Sequence, residues 1–372
     1  MSNYRFIGVG AAGNKAAVKL IEAGVASKED VLLLNTTMRD IDPSYKSIAK
    51  QIGNTLSGSG KERNIAFKLA EEELAAGKMS YIDKFIDSDD VYACVIIAAI
   101  GGGSGSGVSI AIADYIAEAG IPVHLCGFIG FSTDSRELQN TIGFARSIKS
   151  DFGVEFICNS KMLEAANNNV TKAETMANEE LVTRMKVYTG MQLRDSSQNI
   201  DDTELYKMDS TPGFMTIEYT SLPKIKNQKQ FDDIINRIAD ETKSPDFDRK
   251  ALRLGIVLNI SEESFGNIDS RFQIIKDRFA PNPDEVFIHI QNEPDMPEFV
   301  GIMACGNEIP INDIKEMADE LQKRQQLKQQ TNDRGRFFEE IGGIELEDTM
   351  SDMNLNRKRR RTPQVNDSIK KY

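Results

Sequence analysis

Apolar runs alternate with helical patterns along the first 160 residues of the chain. The apolar runs lie at 6–9, 31–35, 91–100, 121–130 and 154–159, with helical spacing between them at 12–24, 61–76, 105–119 and 135–150. Near-continuous apolar strands that are joined by helices are typical of a parallel sheet covered on both faces. The pattern therefore predicts the α/β class, with a first domain over residues 1–170 built on a parallel sheet.

The pattern changes after residue 170. Residues 172–198 keep helical spacing, which predicts a long central helix over 171–200. Strand-like runs at 213–221, 253–260, 285–291 and 298–306 then alternate with helical patterns near 229–242 and 264–279. We expect these elements to form a second, smaller α/β domain with its own sheet over 205–308. A polar C-terminal helix at 309–335 and a flexible tail at 336–372 complete the predicted organisation.

Composition argues against secreted and membrane-spanning classes of protein. The chain has 372 residues, of which 40% are apolar and 27% charged, as in ordinary globular proteins. No stretch approaches the ~18 uninterrupted apolar residues of a membrane span, and MSNYRFIGVG at the start lacks the features of a secretory signal. The four cysteines form no CxxC pair and lie in or beside apolar stretches: Cys94, Cys126, Cys158 and Cys305. We expect reduced core thiols in a cytoplasmic protein with no membrane partner.

Charge is distributed unevenly along the chain. Residues 357–372 contain seven Lys or Arg and one acid, so this basic part of the tail carries +6, whereas the other 356 residues carry −18. An acidic body repels nucleic acid, so we do not expect the body to bind nucleic acid directly. The basic tail attracts an acidic partner instead.

Three glycine-rich loops carry the candidate chemistry. The first, from Gly8 to Gly13, follows a strand and opens a helix, and it fits the GxGxxG fingerprint of dinucleotide-binding enzymes. The second is GGGSGSG at 101–107, and the third is GNTLSGSG at 53–60. The first motif alone is compatible with an NAD(P)-dependent oxidoreductase. However, the second strand ends at Asn35 without the acid that would hold a ribose hydroxyl.

The loop at 101–107 indicates phosphate binding. Its five glycines let the backbone turn N–H groups inward, and the following helix adds the partial positive charge of its N-terminus. The alternative is a flexible linker or a tight turn. A Walker-type loop is excluded, because Lys61 is followed by Glu62 and no glycine stands five residues before Gly60. Two phosphate loops at the ends of different strands predict one nucleotide in the crevice of a Rossmann-like sheet, and the third loop could close over its terminal phosphate.

GGGSGSG resembles the GGG[TS]G[TS]G signature of the tubulin/FtsZ superfamily, and the similarity extends over most of the chain. Residues 10–14 resemble the first phosphate loop of that superfamily, Asn35-Thr36-Thr37 its Asn-Thr-Asp, and 57–64 its γ-phosphate-sensing loop without the usual Pro-Glu-Val. The resemblance implies a GTPase that binds GTP and GDP through these loops and the segments after them. The implied binding residues are Gly10, Ala11, Ala12, Gly13, Asn14, Asn35, Gly58, Ser59, Gly101, Gly102, Gly103, Ser104, Gly105, Ser106, Gly107, Asp134, Asn159 and Asn178.

The segments that correspond to the ribose-binding and base-binding segments of the superfamily match it only in part. FSTDSREL at 131–138 occupies the ribose-loop position, with Asp134 where FtsZ has Glu and with no arginine where FtsZ has one. ICNSKML at 157–163 is similar to IPNDKLL, which implies that Asn159 reaches the ribose or the guanine edge. Asn178, near the start of the central helix, would read guanine.

The spacing of two asparagines supports the same resemblance. Asn178 and Asn199 are 21 residues apart, as are the guanine-reading Asn and the Asn of the catalytic loop in the superfamily. Residues 199–204 fit NxDxx[DE], which implies Asp201 and Glu204 as catalytic acids. A helix of 21 residues spans ~30 Å, so these acids would act on the nucleotide of the next subunit in a head-to-tail filament. The alternative is a merely solvated acidic loop.

The polar terminal helix and the basic tail make the chain most similar to the TubZ branch, whose members segregate plasmid or phage DNA. That branch implies a cytomotive filament whose tail contacts a DNA-bound adaptor protein. The superfamily also implies Mg²⁺, for which the sequence singles out no ligands. An FtsZ-like cell-division ring GTPase and an NAD(P)-dependent oxidoreductase are the alternative functions.

Overall fold

The computed structural model describes residues 3–54, 58–87, 91–130, 134–190, 193–194, 200–223, 225, 227–261, 268–310, 312 and 315–327. Met1–Asp319 and Glu320–Tyr372 are two separate compact units. The second unit is described only over 320–327, which are helical and contain an ion pair of 2.8 Å between Arg324 Nε and Glu320 Oε1. The predicted tail and Asn199 lie outside the described residues.

A single sheet organises the first unit. Its strands are β1 (Tyr4–Val9), β2 (Val31–Asn35), β3 (Ala49–Gln51), β4 (Ala93–Ala99), β5 (Val123–Ile129), β6 (Gly153–Cys158), β7 (Gly213–Ser221), β8 (Arg253–Asn259), β9 (Glu285–Gln291) and β10 (Phe299–Asn307). Their spatial order is β3-β2-β1-β4-β5-β6-β7-β10-β8-β9. Among these described strands only β10 runs antiparallel, to both β7 and β8. The carboxyl ends of the other strands therefore share one edge, called here the C-terminal edge, and their amino ends share the opposite, N-terminal edge.

Helices cover both faces of this sheet. They are α1 (Gly10–Glu22), α2 (Arg63–Ala75), α3 (Ser80–Ile86), α4 (Gly103–Glu118), α5 (Ser135–Arg146), α6 (Asn159–Ala165), α7 (Val170–Tyr188), α8 (Asp202–Asp209), α9 (Gln228–Asp240) and α10 (Ile268–Phe279). On one face α1 and α7 bury residues such as Leu20 and Leu181. On the other face α2 and α4 bury residues such as Ala70 and Ile112. These layers confirm the predicted α/β class.

The expectation of a separate sheet in the second half of the chain is wrong. β7 pairs with β6 through Gly153–Gly213 and Val154–Phe214, so β7 to β10 continue the first sheet. Hydrophobic periodicity reports whether a strand is buried, and it carries no information about which strand lies beside it. The pattern therefore predicted the strands of this region and misassigned their sheet.

The central helix is shorter than the predicted span of 171–200. α7 ends at Tyr188, and Gly190 has a φ of 63°. A left-handed glycine just after the last turn is a common way to end a helix, since glycine adopts this conformation without steric cost. With 19 residues, α7 is ~28 Å long.

A buried ion pair fixes α7 to the sheet. Arg184 NH1 lies 2.8 Å from Glu155 Oε1 of β6, and both side chains are fully buried. Burial alone would raise the pKa of Glu155, but the Arg184 guanidinium and His124 outweigh it and hold that pKa below its ordinary value. Because an unpaired buried charge is strongly unfavourable, this pair holds the helix that carries Asn178 in a fixed position.

The cysteines lie where composition predicts. All four cysteines are buried and free, which confirms the predicted core thiols. Burial raises the pKa of Cys94 to about 12. Within the described part of the chain, every helix is too short or too polar to cross a membrane.

Candidate functional site

Two adjoining cavities open at the C-terminal edge of the sheet. The first has a volume of about 430 Å³ and is lined by Val9, Gly10, Ala11, Ala12, Asn35, Thr36, Thr37, Asp40, Gly58, Ser59, Gly60, Lys61, Ala99, Gly102, Gly103, Ser104 and Gly105. The second, of about 350 Å³, is lined by Ala11, Ala12, Lys15, Ala99, Gly101, Gly102, Phe128, Gly130, Glu137, Asn159, Glu174, Ala177 and Asn178. Four residues line both cavities, so the two form one elongated crevice between the ends of β1, β2, β4 and β5.

Hydroxyl groups connect the three loops around the first cavity. Thr36, directly after β2, has its Oγ1 2.7 Å from Ser104 Oγ at the start of α4. The same Thr36 Oγ1 accepts a hydrogen bond of 3.1 Å from the Ser59 backbone N–H. Ser59 Oγ lies 3.4 Å from Ser104 Oγ. The described parts of the glycine loops are thus held together by side chains that can also donate to a phosphate.

Close backbone approach explains two of the glycines. A Cβ on Gly105 would overlap the carbonyl oxygen of Ala99, at the end of β4. A Cβ on Gly13 would overlap the carbonyl oxygen of Ile97 in the same strand. These two residues let α1 and α4 begin against the end of β4, which aims both helix N-termini at the crevice.

Most of the predicted binding residues line the crevice. In the first cavity these are Gly10, Ala11, Ala12, Asn35, Gly58, Ser59, Gly102, Gly103, Ser104 and Gly105, and in the second they include Gly101, Asn159 and Asn178. The phosphate-loop residues therefore lie at one end, and the two asparagines expected to read ribose and base lie at the other. Each of these binding roles stays a prediction, since the crevice shows position and no ligand.

Five predicted binding residues do not line the crevice: Gly13, Asn14, Ser106, Gly107 and Asp134. Ser106 donates its hydroxyl proton to the Gly102 carbonyl oxygen inside the first turn of α4. Asn14 donates from Nδ2 to the Leu34 carbonyl oxygen at 3.2 Å and lines a third, neighbouring cavity of about 520 Å³. Asp134 is the exposed N-cap of α5 and accepts a hydrogen bond of 2.8 Å from the Arg136 backbone N–H. Local structure therefore accounts for the placement of these three polar side chains.

Several lining residues were missed by sequence reasoning as binding candidates, namely Thr36, Thr37, Asp40, Lys61 and Glu137. Thr36 and Thr37 directly follow β2, and Lys61 follows the third glycine loop, so their position beside a predicted strand end or loop was an available signal. Asp40 and Glu137 offered no such signal, because a short 3-10 turn at Met38–Asp40 and the first turn of α5 bring them to the crevice.

The chemistry of the first cavity fits a nucleotide-bound Mg²⁺. Mg²⁺ is usually held by one or two carboxylates together with substrate phosphates and water. Asp40 is the acid among the described residues of this cavity, and Thr36, Ser59 and Ser104, which carry hydroxyls, line the same cavity. Among the described residues no group of three His, Cys, Asp or Glu side chains could hold a metal by itself, so a cation here would depend on the phosphates.

The two predicted catalytic acids form the N-terminal cap of α8. Asp201 Oδ1 accepts a hydrogen bond of 2.8 Å from the Glu204 backbone N–H, and Glu204 Oε2 accepts one of 3.1 Å from the Asp201 backbone N–H. This reciprocal pair is a capping box, which the spacing Asp-x-x-Glu could have indicated. The acids thus have a structural role in addition to any catalytic one, and each uses one carboxylate oxygen for it.

Helix α8 lies at the N-terminal edge of the sheet, opposite the crevice. Tyr4, the first residue of β1, donates its hydroxyl proton to Asp209 Oδ2 at the end of α8, over 2.9 Å. Lys207 of α8 forms an ion pair of 3.0 Å with Glu285, the first residue of β9. Val9, the last residue of β1, lines the crevice instead. Since β1 runs from Tyr4 to Val9 and a strand rises ~3.3 Å per residue, its two ends are about 17 Å apart, which separates the end of α8 from the crevice.

A protein-family model matches residues 3–167, and it describes the tubulin/FtsZ family, GTPase domain. The matched range contains all three glycine loops and Asn159. It replaces the interpretation of the first loop as part of an NAD(P)-dependent oxidoreductase.

Solved structures of similar proteins extend the match to most of the chain. A GTPγS-form protofilament of TubZ from Bacillus thuringiensis serovar israelensis has 18% identity, covers 89% of this chain and 94% of its own, and has a TM-score of 0.72. The GTPγS-bound protofilament of CetZ2 from Haloferax volcanii has 18% identity, coverages of 88% and 100%, and a TM-score of 0.71. An FtsZ dimer from M. jannaschii has 18% identity, coverages of 84% and 89%, and a TM-score of 0.64.

These matches agree on the fold and do not separate the branches. At 18% identity they show a shared fold alone, and the TubZ and CetZ scores are nearly equal. The family model, by contrast, identifies the domain that carries the phosphate loops. Residues 3–167 match the GTPase domain of the tubulin/FtsZ family, a match that supports binding of GTP and GDP and hydrolysis of GTP, within a chain that shares the fold of TubZ, CetZ and FtsZ.

Proposed function

We propose that the protein is a filament-forming GTPase whose catalytic site is completed between two subunits in head-to-tail contact. One observation carries this proposal: the crevice and helix α8, whose first turn carries the two acids, lie at opposite edges of the same sheet. Stacking the N-terminal edge of one subunit on the C-terminal edge of the next would bring Asp201 and Glu204 to the neighbour's crevice. Such an interface is heterologous and open, so repeating it generates a filament.

The residues of the crevice supply binding and positioning. Backbone N–H groups at the starts of α1 and α4 and the hydroxyls of Ser59 and Ser104 would hold the phosphates. Asn159 and Asn178, at the far end of the crevice, would hold ribose and guanine. Asp40 would hold Mg²⁺ together with the phosphates, and that ion would neutralise charge on the phosphoryl group.

The acids of the next subunit supply the missing chemistry. Asp201 is exposed and Glu204 half-buried, and one oxygen of each takes part in the capping box. Their carboxylates would orient and polarise the attacking water. Hydrolysis is thereby linked to assembly, because a free subunit holds GTP without the acids that act on it.

Two of the similar structures are protofilaments with GTPγS, those of TubZ and CetZ2. Their assembly supports self-association for this chain as well. Four buried free thiols are in keeping with a cytoplasmic location.

The test compares GTP turnover per subunit over a range of protein concentrations with turnover of two variants, Asp201→Asn and Glu204→Gln. Asn is as good an N-cap as Asp, and Gln preserves the capping box, so both variants keep α8. We expect specific activity to rise steeply above a threshold concentration in the parent protein. Each variant should bind GTP normally, lose ~10²–10⁴-fold in turnover and form filaments that disassemble slowly. Asp202→Asn, at a variable position within the motif and exposed like Asp201, is the matched control and should retain turnover.

A mixing experiment shows whether the site is shared. A subunit with strongly weakened GTP binding, made by Gly105→Ala and used at a GTP concentration too low to fill its crevice, still offers the acids of α8, while Glu204→Gln still offers a crevice. Mixing the two should restore measurable turnover if the proposal is correct. Turnover that is independent of protein concentration, or acid variants with unchanged rates, would contradict it.

We further propose that the filament segregates plasmid or phage DNA through an adaptor bound to the basic tail. The support is the charge distribution, with +6 in residues 357–372 against an acidic remainder. Deleting 351–372 should abolish recruitment to an adaptor–DNA complex and leave GTP turnover unchanged. Undiminished recruitment would contradict the role of the tail, whereas a full-length protein that is not recruited at all would favour the alternative of an FtsZ-like cell-division ring, for which no DNA adaptor is needed.

A further inference from the structure

The third cavity lies beside the nucleotide crevice and is larger than either part of it. Its volume is about 520 Å³, within the ~300–1,000 Å³ that small-molecule sites usually have. It runs along α1 from Asn14 to Glu22, and the segment 39–45 after β2 forms its other wall. The proposed GTPase function gives this cavity no role.

Part of the lining is apolar. Val18, Leu33, Ile41 and Pro43 line the cavity together with the ring of Tyr45. Leu33 and Ile41 belong to the buried hydrophobic core, so packing holds this wall in place. Such a wall favours the body of an apolar or aromatic ligand.

Two cations on different walls are available to a ligand. Lys15 of α1 and Arg39 of the 3-10 turn both line the cavity, and neither has an ion pair or a side-chain hydrogen bond within the described part of the chain. The other lysine of the lining, Lys19, forms an ion pair with Glu22. A planar guanidinium such as that of Arg39 can bind a carboxylate through two parallel hydrogen bonds.

The two acids of segment 39–45 are directed to other partners. Asp42 is the N-cap of the next 3-10 turn, and its Oδ1 accepts a hydrogen bond of 2.8 Å from the Ser44 backbone N–H. Asp40 also lines the first cavity, where the proposed Mg²⁺ would neutralise it. Lys15 and Arg39 therefore remain free to attract an anionic group.

A buried acceptor adds to the chemistry of this cavity. Asn14 is 3% exposed, and it lines the third cavity but neither part of the crevice. Its Nδ2 donates to the Leu34 carbonyl oxygen at 3.2 Å, whereas its Oδ1 has no hydrogen-bond partner among the described residues. Because an unsatisfied buried acceptor is unfavourable, a ligand that carries an N–H group would gain a hydrogen bond here.

We propose that the third cavity is a regulatory site for a small aromatic carboxylate that carries an N–H group. The aromatic body packs on the apolar wall, the carboxylate binds Arg39 and Lys15, and the N–H group donates to Asn14 Oδ1. Binding of this ligand is independent of the proposed function. Only its coupling to the nucleotide rests on that function.

Two shared residues provide the coupling. Lys15 and Asn178 line both the third cavity and the nucleoside end of the crevice. An anion in the third cavity attracts the Lys15 ammonium away from the nucleoside end and adds a negative charge near the nucleotide. The carboxylate therefore weakens nucleotide binding, and the nucleotide weakens binding of the carboxylate by the same factor.

The probe for this site is indole-3-acetate, which has an aromatic body, an N–H group and a carboxylate. The chain contains no Trp, so indole fluorescence anisotropy reports binding to the full-length protein without a tryptophan background. We expect saturable binding. Indole-3-acetamide, which lacks the charge, should bind about tenfold more weakly or worse, and 1-methylindole-3-acetate, which lacks the N–H donor, about threefold more weakly or worse.

Arg39→Gln tests the charged contact. It should weaken binding of indole-3-acetate about tenfold and change binding of indole-3-acetamide less than about threefold, a difference that a merely structural role would not produce. Lys46→Gln is the matched control, since it removes an exposed lysine of the neighbouring 3-10 turn outside the cavity. Val18→Phe fills the cavity from α1 and should abolish binding of both probes at an unchanged melting temperature.

The outcomes separate the site from its coupling and from the proposed function. Equal affinity for the acid and the amide, or an Arg39→Gln variant that binds like the parent, would overturn the site. Saturating GDP should raise the Kd of indole-3-acetate about fivefold or more. An unchanged Kd in protein that binds GDP would overturn the regulatory role. Protein that binds indole-3-acetate but no GDP would overturn the nucleotide site alone.

Discussion

The two edges of the sheet differ in what they can do alone. At the C-terminal edge, α1 and α4 start against β4, and their backbone donors line a crevice that is formed within one subunit. At the N-terminal edge, α8 presents Asp201 and Glu204 away from that crevice. On the proposed function, the difference means that binding and chemistry belong to opposite ends of the subunit. Assembly would then be a condition for turnover rather than a consequence of it.

Different interactions determine the structure of the two edges. The C-terminal edge relies on close contacts between backbone segments, where a single methyl group has no room. The N-terminal edge relies on the environment of carboxylates, since α8 has acids at its exposed start and buries Asp209 at its end. Substitutions at one edge should therefore act through steric fit, and those at the other through charge.

The largest effect is expected from Gly105→Ala at the C-terminal edge. The added Cβ would overlap the Ala99 carbonyl oxygen, so α4 must move away from β4 and out of register with the first phosphate loop. Overpacking of this kind costs ~1–3 kcal/mol, and we expect GTP affinity to fall up to ~100-fold. Equilibrium titration with a fluorescent GTP analogue measures this.

Gly102→Ala is the matched control for that substitution. Its added Cβ would meet only the Ala99 carbonyl oxygen, at 3.4 Å, and its φ of −79° suits any residue. We expect this variant to keep the parent melting temperature and to lose much less affinity. Equal losses in both variants would mean that the close approach of α4 to β4 is not what shapes the crevice.

A smaller effect, with a defined pH dependence, is expected at the N-terminal edge. Burial raises the pKa of Asp209 to about 8 from an ordinary value of 3.8. Between these two values the folded protein binds a proton that the unfolded chain releases, so this residue lowers stability progressively as the pH rises from about 4 to about 8. Asp209→Asn removes that titration and keeps an acceptor for the Tyr4 hydroxyl.

Thermal melts at several pH values test this prediction. The variant should melt higher than the parent, and its advantage should grow by several degrees between about pH 5.5 and 8.5. Glu218, whose pKa burial raises to about 7, titrates in both proteins and cancels from the difference. A difference in melting temperature that stays constant across this range would show that Asp209 is ionised in the folded protein.

The sequence predicted the long elements and the loops of this fold well. Continuous apolar runs gave β1, β2 and β4 to β10 to within a few residues, because a buried strand needs apolar side chains on both faces. It missed β3, α3, α6 and α8, which have three to eight residues and are too short for a periodic pattern. It also missed the pairing of β6 with β7, which two residue pairs establish.

The candidate site was likewise predicted in part. The glycine loops predicted which backbone segments line the crevice, since few other functions require five glycines in seven residues. Side chains such as Asp40 and Glu137 could not be predicted, because their positions depend on how separate loops meet. The position of Lys61 next to a glycine loop is visible in the sequence. Its left-handed backbone and its ion pairs with Glu137 and Asp134 could not be predicted, because they depend on the folded structure.

The smallest effect is expected from Thr36→Val, which tests how much the hydroxyl bridge between loops contributes at the C-terminal edge. Valine has nearly the same shape as threonine, so close packing is preserved. The hydroxyl that joins Ser104 and the Ser59 backbone N–H is lost. An ordinary hydrogen bond contributes ~1 kcal/mol, so we expect a threefold to tenfold loss of GTP affinity. Titration under the conditions used for Gly105→Ala makes the two numbers comparable.

Thr37→Val provides the contrast for this last substitution. Thr37 also lines the first cavity, but its Oγ1 accepts from the Arg39 backbone N–H at 3.3 Å, within its own turn. If the hydroxyl bridge between loops matters, Thr36→Val must weaken GTP binding more than Thr37→Val does. Equal effects would mean that the loops are positioned by backbone contacts alone, and that the hydroxyls of this edge serve only the ligand.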